Sequence, residues 1–262
     1  MKETWLRINK DLIASAQFMS VDQARFLVDT YYQIQDERIR ANAQVRSTLD
    51  SGEPHSLLEY IGEVNKELEG KIKLALGRYA KGQSTGQWSL SICGIGPVLA
   101  SGLLSHIDIE KAPTVGHIWA FAGLDPTRKW EKKTKRPWNA KLKCLCWKIG
   151  ESFIKQQTRP KDIYGAIYAS RRVLEDQRND AGAFAAQAKE GAARVKKTTE
   201  AWKHYSTGKL PPGHIKARAS RYAVKLFLSH WHETAYRNHF GKEPPLPYPV
   251  GILGHAHKVA VA

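Results

Sequence analysis

The residues most suited to chemistry in this 262-residue chain are cations set among tryptophans. From Thr127 to Lys148, nine of 22 residues are Lys or Arg, Glu131 is the only acid, and Trp130, Trp138 and Trp147 are interleaved. Cations close on phosphates, and indole faces stack on bases. The part up to Pro137 has no apolar periodicity, so core packing does not explain its charge. Arg128, Lys129, Trp130, Lys132, Lys133, Lys135, Arg136, Trp138, Lys141 and Lys143 are therefore read as nucleic-acid contacts. A second cationic set lies further on. His214, Arg218, Arg221, Lys225 and His232 recur at i, i+4, i+7, i+11 and i+18, with no acid before Glu233. Such a row on one helix face repels itself unless an anion lies along it. His214, Lys216, Arg218, Arg221 and Lys225 join the candidates, as do Arg171 and Arg172. A third feature is Gly94-Ile95-Gly96-Pro97. Glycine permits a tight turn, and Pro97 suits the first position of a helix, whose free N–H groups would face a phosphate near Gly94 and Gly96.

Catalytic sets are not expected. His230, His232, His239, His255 and His257 gather near the end of the chain without an ordered ligand spacing. They read as interface or phosphate-contact residues rather than a metal centre. Most acids sit at solvent-face spacing on N-terminal helices, and strand patterns, on which nuclease acids usually stand, are almost missing. The three cysteines, Cys93, Cys144 and Cys146, are odd in number and read as reduced, buried small hydrophobes. Neither a metal nor a cofactor is expected, and no enzymatic activity.

The elements that must position these residues are helices, so the fold class expected is all-α. Residues 1–20 are a lead-in. From Val21, Leu27, Tyr31, Ile34, Ala41 and Val45 form a stripe in which Arg38 fills the missing turn. After the break at residues 50–54, Leu57, Ile61, Val64, Leu68, Ile72, Ala75 and Tyr79 form another. Both stripes run near the coiled-coil period, which predicts an antiparallel helical hairpin over 21–80. Phe26, Tyr32, Leu58 and Leu76 widen its apolar face, and homodimerisation through 21–80 is expected. Residues 81–86 read as a linker. A helical domain over 87–240 follows, with helices from Pro97, from Thr114 to a stop at Gly123, from Asn139 to about Ile154, and from Pro211 to about Asn238. Residues 181–200 read as an exposed helix or a loose excursion, and 241–262 as an extended, proline-rich tail. The charge is split: residues 1–125 hold 13 Lys+Arg against 15 Asp+Glu, whereas residues 126–262 hold 28 against 10. That asymmetry favours a polyanion partner over a membrane. No stretch is apolar enough for a membrane span, and a cytoplasmic location is expected.

Gly94-Ile95-Gly96-Pro97-Val98, Ala100 and Ala120-Phe121-Ala122-Gly123-Leu124-Asp125-Pro126 resemble the C-terminal domain of bridge-RNA-guided insertion-sequence transposases. Those enzymes also carry an acidic nuclease-like domain, and a nucleophilic serine follows their Gly-Leu-x-Pro segment. Thr127–Lys148 holds no serine, so recombination chemistry is not implied. The order of helical hairpin, Ile95-Gly96 helix, Tyr164–Ser170 and Gly213–Ser220 is similar to the Nop domain of box C/D guide-RNA ribonucleoproteins. There the hairpin forms a coiled-coil dimer and the helical domain grips a kinked guide RNA. Both likenesses meet in the Nop-domain Tas proteins of tandem interspaced guide RNA (TIGR-Tas) systems of phages and bacteria, and this chain resembles their nuclease-less form. The resemblance implies a guide RNA as bound component, target DNA as the second partner, and a bacterial or phage-infected host. The alternatives are a transposase-like recombinase using Thr127 or Thr134, a His-metal nuclease, and a helix-hairpin-helix DNA binder without RNA.

Overall fold

The computed structural model describes residues 10–49, 56–131 and 133–245. Lys132, His255, His257 and most of the expected tail lie outside them. The protein is all-α, and among the described residues there is no strand. The helices are α1 (Lys10–Ser15), α2 (Val21–Thr48), α3 (Ser56–Lys81), α4 (Ser84–Ser91), α5 (Pro97–His106), α6 (Val115–Phe121), α7 (Ala140–Gln156), α8 (Ile163–Asp180), α9 (Ala185–Arg194), α10 (Glu200–Ser206) and α11 (Pro212–Phe240). Two compact units emerge. One takes the described residues to Ala112 with Thr234–Lys242; the other takes Pro113–Glu233 and the described residues from Glu243.

In the first unit α2 and α3 pack side by side. Ser20 caps α2 in a capping box with Gln23, satisfying two end groups reciprocally. Val28 meets Ile72 and Leu76 in one cluster, Arg38 pairs with Glu69, and Gly62 lies against Asn42. Those pairings run in opposite sequence directions, so the two helices are antiparallel. Val98 of α5 joins the same cluster, and the Ser101 hydroxyl donates to the Leu76 carbonyl at 2.8 Å. Leu76 is thus fully buried, and its apolarity serves packing within this unit. Phe26 stays 68% exposed, as does Leu74 at 58%, which leaves apolar surface uncovered on both helices. The stretch read as a linker is short: only Gly82 and Gln83 separate α3 from α4. A methyl at Gly86 would meet the Ala80 carbonyl oxygen at 2.0 Å, so this junction is tightly folded.

The second unit centres on α7, α8 and α11. Phe153 stacks on Tyr164, and Phe227 meets both rings edge to face, with centroids 5.0–5.5 Å apart. Leu142, Leu145, Cys146, Ile149 and Phe153 form one apolar stripe along α7, and all are buried. Asn139 and Asp162 cap α7 and α8 through side-chain acceptance from Leu142 N and Gly165 N. Residues 181–200 are neither loose nor wholly exposed. Phe184 and Ala188 bury against Leu210 and Ile215, and Tyr205 of α10 packs on Gly191 of α9. Cys144, expected to be buried, is exposed because it falls off the α7 stripe; Cys146 is buried and its thiol is pushed up to about 12 by desolvation.

Candidate nucleic-acid interface

The basic residues of the second unit are gathered on three supports. The first is the run from Gly123 to Asn139. Gly123 ends α6 with φ +65°, and Trp138 lies over it so closely that a methyl there would meet the indole Cγ at 2.8 Å. Asn139 N donates to the Phe121 carbonyl at 2.8 Å, tying the loop's far end to α6. Within the loop, Trp130 Nε1 donates to the Thr134 carbonyl at 2.9 Å, and the Arg136 guanidinium stacks 4.8 Å from the Trp130 ring. Lys133 adopts φ +72°, the left-handed region, at the tip. The loop is therefore folded on itself, with Arg128, Lys129, Lys133, Lys135 and Arg136 exposed.

The second support is α7. Its Lys143 ammonium lies 4.0 Å from the Trp138 ring. Burial holds the Lys143 ammonium below its ordinary pKa, and the positive charges of Arg136 and Arg221 add to the effect. The third is α11. Burial lowers the Arg221 guanidinium, with Arg218 adding repulsion. His214 is lowered by burial and then by Arg221 and Arg218. Lys225 is lowered by burial against the pull of Asp125, and its ammonium lies 4.1 Å from the Trp119 ring, whose Nε1 donates to the Lys225 carbonyl. Beyond burial, neighbouring arginines thus raise the cost of charge at Lys143, Arg221 and His214. An anion laid against them would relieve that cost.

The cationic row on α11 needs a correction. Arg218 does not face solvent alone: its Nε donates to Glu175 Oε2 at 2.8 Å. Glu175 is 1% exposed and also meets Arg171 at 2.5 Å and Arg178 at 3.5 Å. Burial pushes the Glu175 carboxyl up, but Arg218 and Arg171 outweigh it and leave it below the usual range. Arg171 stacks on Tyr222, and Arg218 and Arg178 on Phe184. Arg172 is held by Asp176 at 2.8 Å, and Lys216 by Glu151 at 2.9 Å. Tyr222 is 42% exposed beside the Arg171 guanidinium. His232 leaves the row, being buried.

The remaining expected residues divide clearly. Lys141 is exposed. Gly94 and Gly96 belong to the first unit. Gly94 turns with φ +89°, as glycine allows, while Gly96 is extended with open space around it and caps α5 without a side-chain bond. Of the C-terminal histidines, His230 bonds the Tyr164 hydroxyl at 2.7 Å and His239 meets Glu110 at 3.3 Å. Among the described residues no group of three His, Cys, Asp or Glu could hold a metal. Nor is any described helix long and apolar enough to cross a membrane.

Sequence reading missed Glu175, Trp119 and a cleft of about 420 Å³ between α7 and α11, lined by Lys143, Trp147, Glu151, Lys216 and Arg221. The cleft's signal was present: Lys143, Trp147 and Glu151 stand at i, i+4 and i+8. Residues 89–144 match the Transposase IS116/IS110/IS902 family. The matched segment contains the Gly94 turn, α5, α6 and the basic loop, the region in which the transposase-like motifs stand. No curated protein and no solved structure matches the chain.

Proposed function

We propose that this protein is a nucleic-acid-binding protein that holds a guide RNA on the basic surface of its second unit and uses it to recognise target DNA. The observation that carries the reading is the crowding of cations in the second unit: Lys143, Arg221 and His214 are each lowered by burial first and then by neighbouring arginines, while the described loop lysines and arginines stand exposed beside Trp130. A polyanion is the ligand that such a surface favours. The family match supports nucleic acid as the partner class, because transposases act on it. The guide-RNA part rests on the resemblance to Nop-domain Tas proteins. In this reading the protein clamps backbone phosphates, base pairing reads the sequence, and cleavage is not the work of this chain. Homodimerisation through the α2–α3 hairpin and a cytoplasmic location belong to the same proposal.

The test combines charge reversal at Lys143 and Arg221 with Lys225→Gln, because a glutamate at 225 would repel Asp125. Arg218 is left intact, since a glutamate there would face Glu175 across a buried contact. RNA affinity at physiological salt should fall at least about a hundredfold, with the thermal transition unchanged. Undiminished binding by a folded triple variant would overturn the assignment.

The family match is also compatible with a second reading, a strand-transferring enzyme. Its hydroxyl would come from Thr127, which donates to Asp125 Oδ1 at 2.7 Å, or from Thr134, which donates to the Glu131 carbonyl. DNA cleavage or strand transfer by the pure protein with Mg²⁺ or Mn²⁺ would establish it.

A further inference from the structure

The cleft between α7 and α11 has walls that phosphate binding does not use. At Gly150 the two helices come close: without a side chain there, Ser220 of α11 lies so near that a Cβ would be 2.2 Å from its hydroxyl. Beside that contact the groove opens to about 420 Å³, within the roughly 300–1,000 Å³ of small-molecule sites. Along α7 its chemistry changes in order. Lys143 stands at one end, Trp147 in the middle and Glu151 at the other. Eight residues of helix place the first and last about 12 Å apart along the axis. That is the reach of a nucleotide from its phosphate to the far edge of its base.

Each part suits the corresponding part of a nucleotide. Lys143 and Arg221 both line the cleft, and the charge of Arg221 adds to the cost of charge at Lys143, so a phosphate between them is favoured. Trp147 is 63% exposed in spite of its size, and its indole lines the cleft, where a base could stack. Glu151 is the only acid lining the cleft among the described residues. Both of its oxygens lie near Lys216 Nζ, at 2.9 and 3.1 Å. A carboxylate has about four lone-pair positions, so acceptor capacity remains. It would repel a phosphate at that end and accept N–H donors there. Guanine presents two adjacent N–H donors on one edge, which fits a carboxylate better than uracil's single one.

We propose that this cleft takes one unpaired guanine nucleotide of the bound nucleic acid, with its phosphate between Lys143 and Arg221, its base on Trp147 and its N–H edge on Glu151. The proposal rests on reading the second unit as a nucleic-acid-binding surface. It is tested by calorimetric titration of the full chain with GMP, UMP and ribose 5-phosphate, beside binding of a labelled oligouridine RNA to the same preparation. GMP should bind at least about tenfold tighter than ribose 5-phosphate, and tighter than UMP. Trp147→Ala should remove the advantage over ribose 5-phosphate, and Glu151→Gln the preference over UMP, in variants whose melting matches the parent. Equal binding of GMP and ribose 5-phosphate, or unaltered GMP binding by Trp147→Ala, would overturn the pocket while oligouridine binding upheld the wider surface. Failure to bind oligouridine as well would overturn both.

Discussion

Glu175 shows how one carboxylate can hold a basic surface in place. Buried itself, it fixes Arg171, Arg178 and Arg218, and two of these stack on Phe184. Replacing it with Gln would leave the arginines without their shared anion. The expected loss is on the order of 2–3 kcal/mol, below the value for a fully desolvated pair because the arginines reach solvent. Urea unfolding would measure it. Because the folded carboxyl lies below the ordinary 4.5, its stabilisation is present above that value and is lost as pH falls through the folded pKa. His214 has the reverse charge logic. Its imidazole is held below 6.5 in the free protein, so that histidine's contribution to stability declines as pH drops through 6.5. A phosphate beside it favours the protonated form. RNA affinity should therefore rise from about pH 7.5 to 5.5, and His214→Gln should flatten that rise in a binding series at constant salt. Sequence made the cations visible by type. It could not show that Glu175, 43 residues from Arg218, would neutralise part of their row, because that partner comes from another helix.

At the scale of elements, α7 and α11 meet where two small residues allow it. Gly150→Ala should drive a methyl into the Ser220 hydroxyl and cost about 1–3 kcal/mol. Adding Ser220→Gly should return part of that loss, since the next neighbour, Val224 Cγ2, is 3.3 Å away. A double-mutant cycle by thermal unfolding measures the coupling, and strict additivity would contradict this packing. The α7 stripe and the Asn139 cap could be read from the chain because periodicity and capping are local signals. The α9–α10 pair could not. Its few apolar anchors, Phe184, Ala188 and Tyr205, are diluted among alanines and charges, and they cluster with Leu210 and Ile215 from further along the chain. Trp130 and Trp231 make the same point. Both are tryptophans, yet one stacks with Arg136 on the surface and the other is buried, which only tertiary context decides.

For the whole molecule, charge and apolar surface are distributed differently. The chain carries a formal +16, which arises from its C-terminal part. Binding should therefore weaken steeply with salt, and Arg221→Ala should lower the slope of log affinity against log salt by about one. The hairpin leaves Phe26 and Leu74 exposed. If a second copy covers them, light scattering should find a dimer that Phe26→Ser with Leu74→Ser converts to monomer; a monomeric parent protein would contradict it. Neither property follows from fold class, since an all-α architecture serves many functions. The central claim is that the basic surface carries a guide RNA, and the most direct test is to sequence whatever nucleic acid accompanies the protein purified from a host bearing its native flanking DNA. The account predicts a short RNA of uniform length that maps to a repeat array beside the gene. Protein free of nucleic acid that binds only added duplex DNA would contradict it.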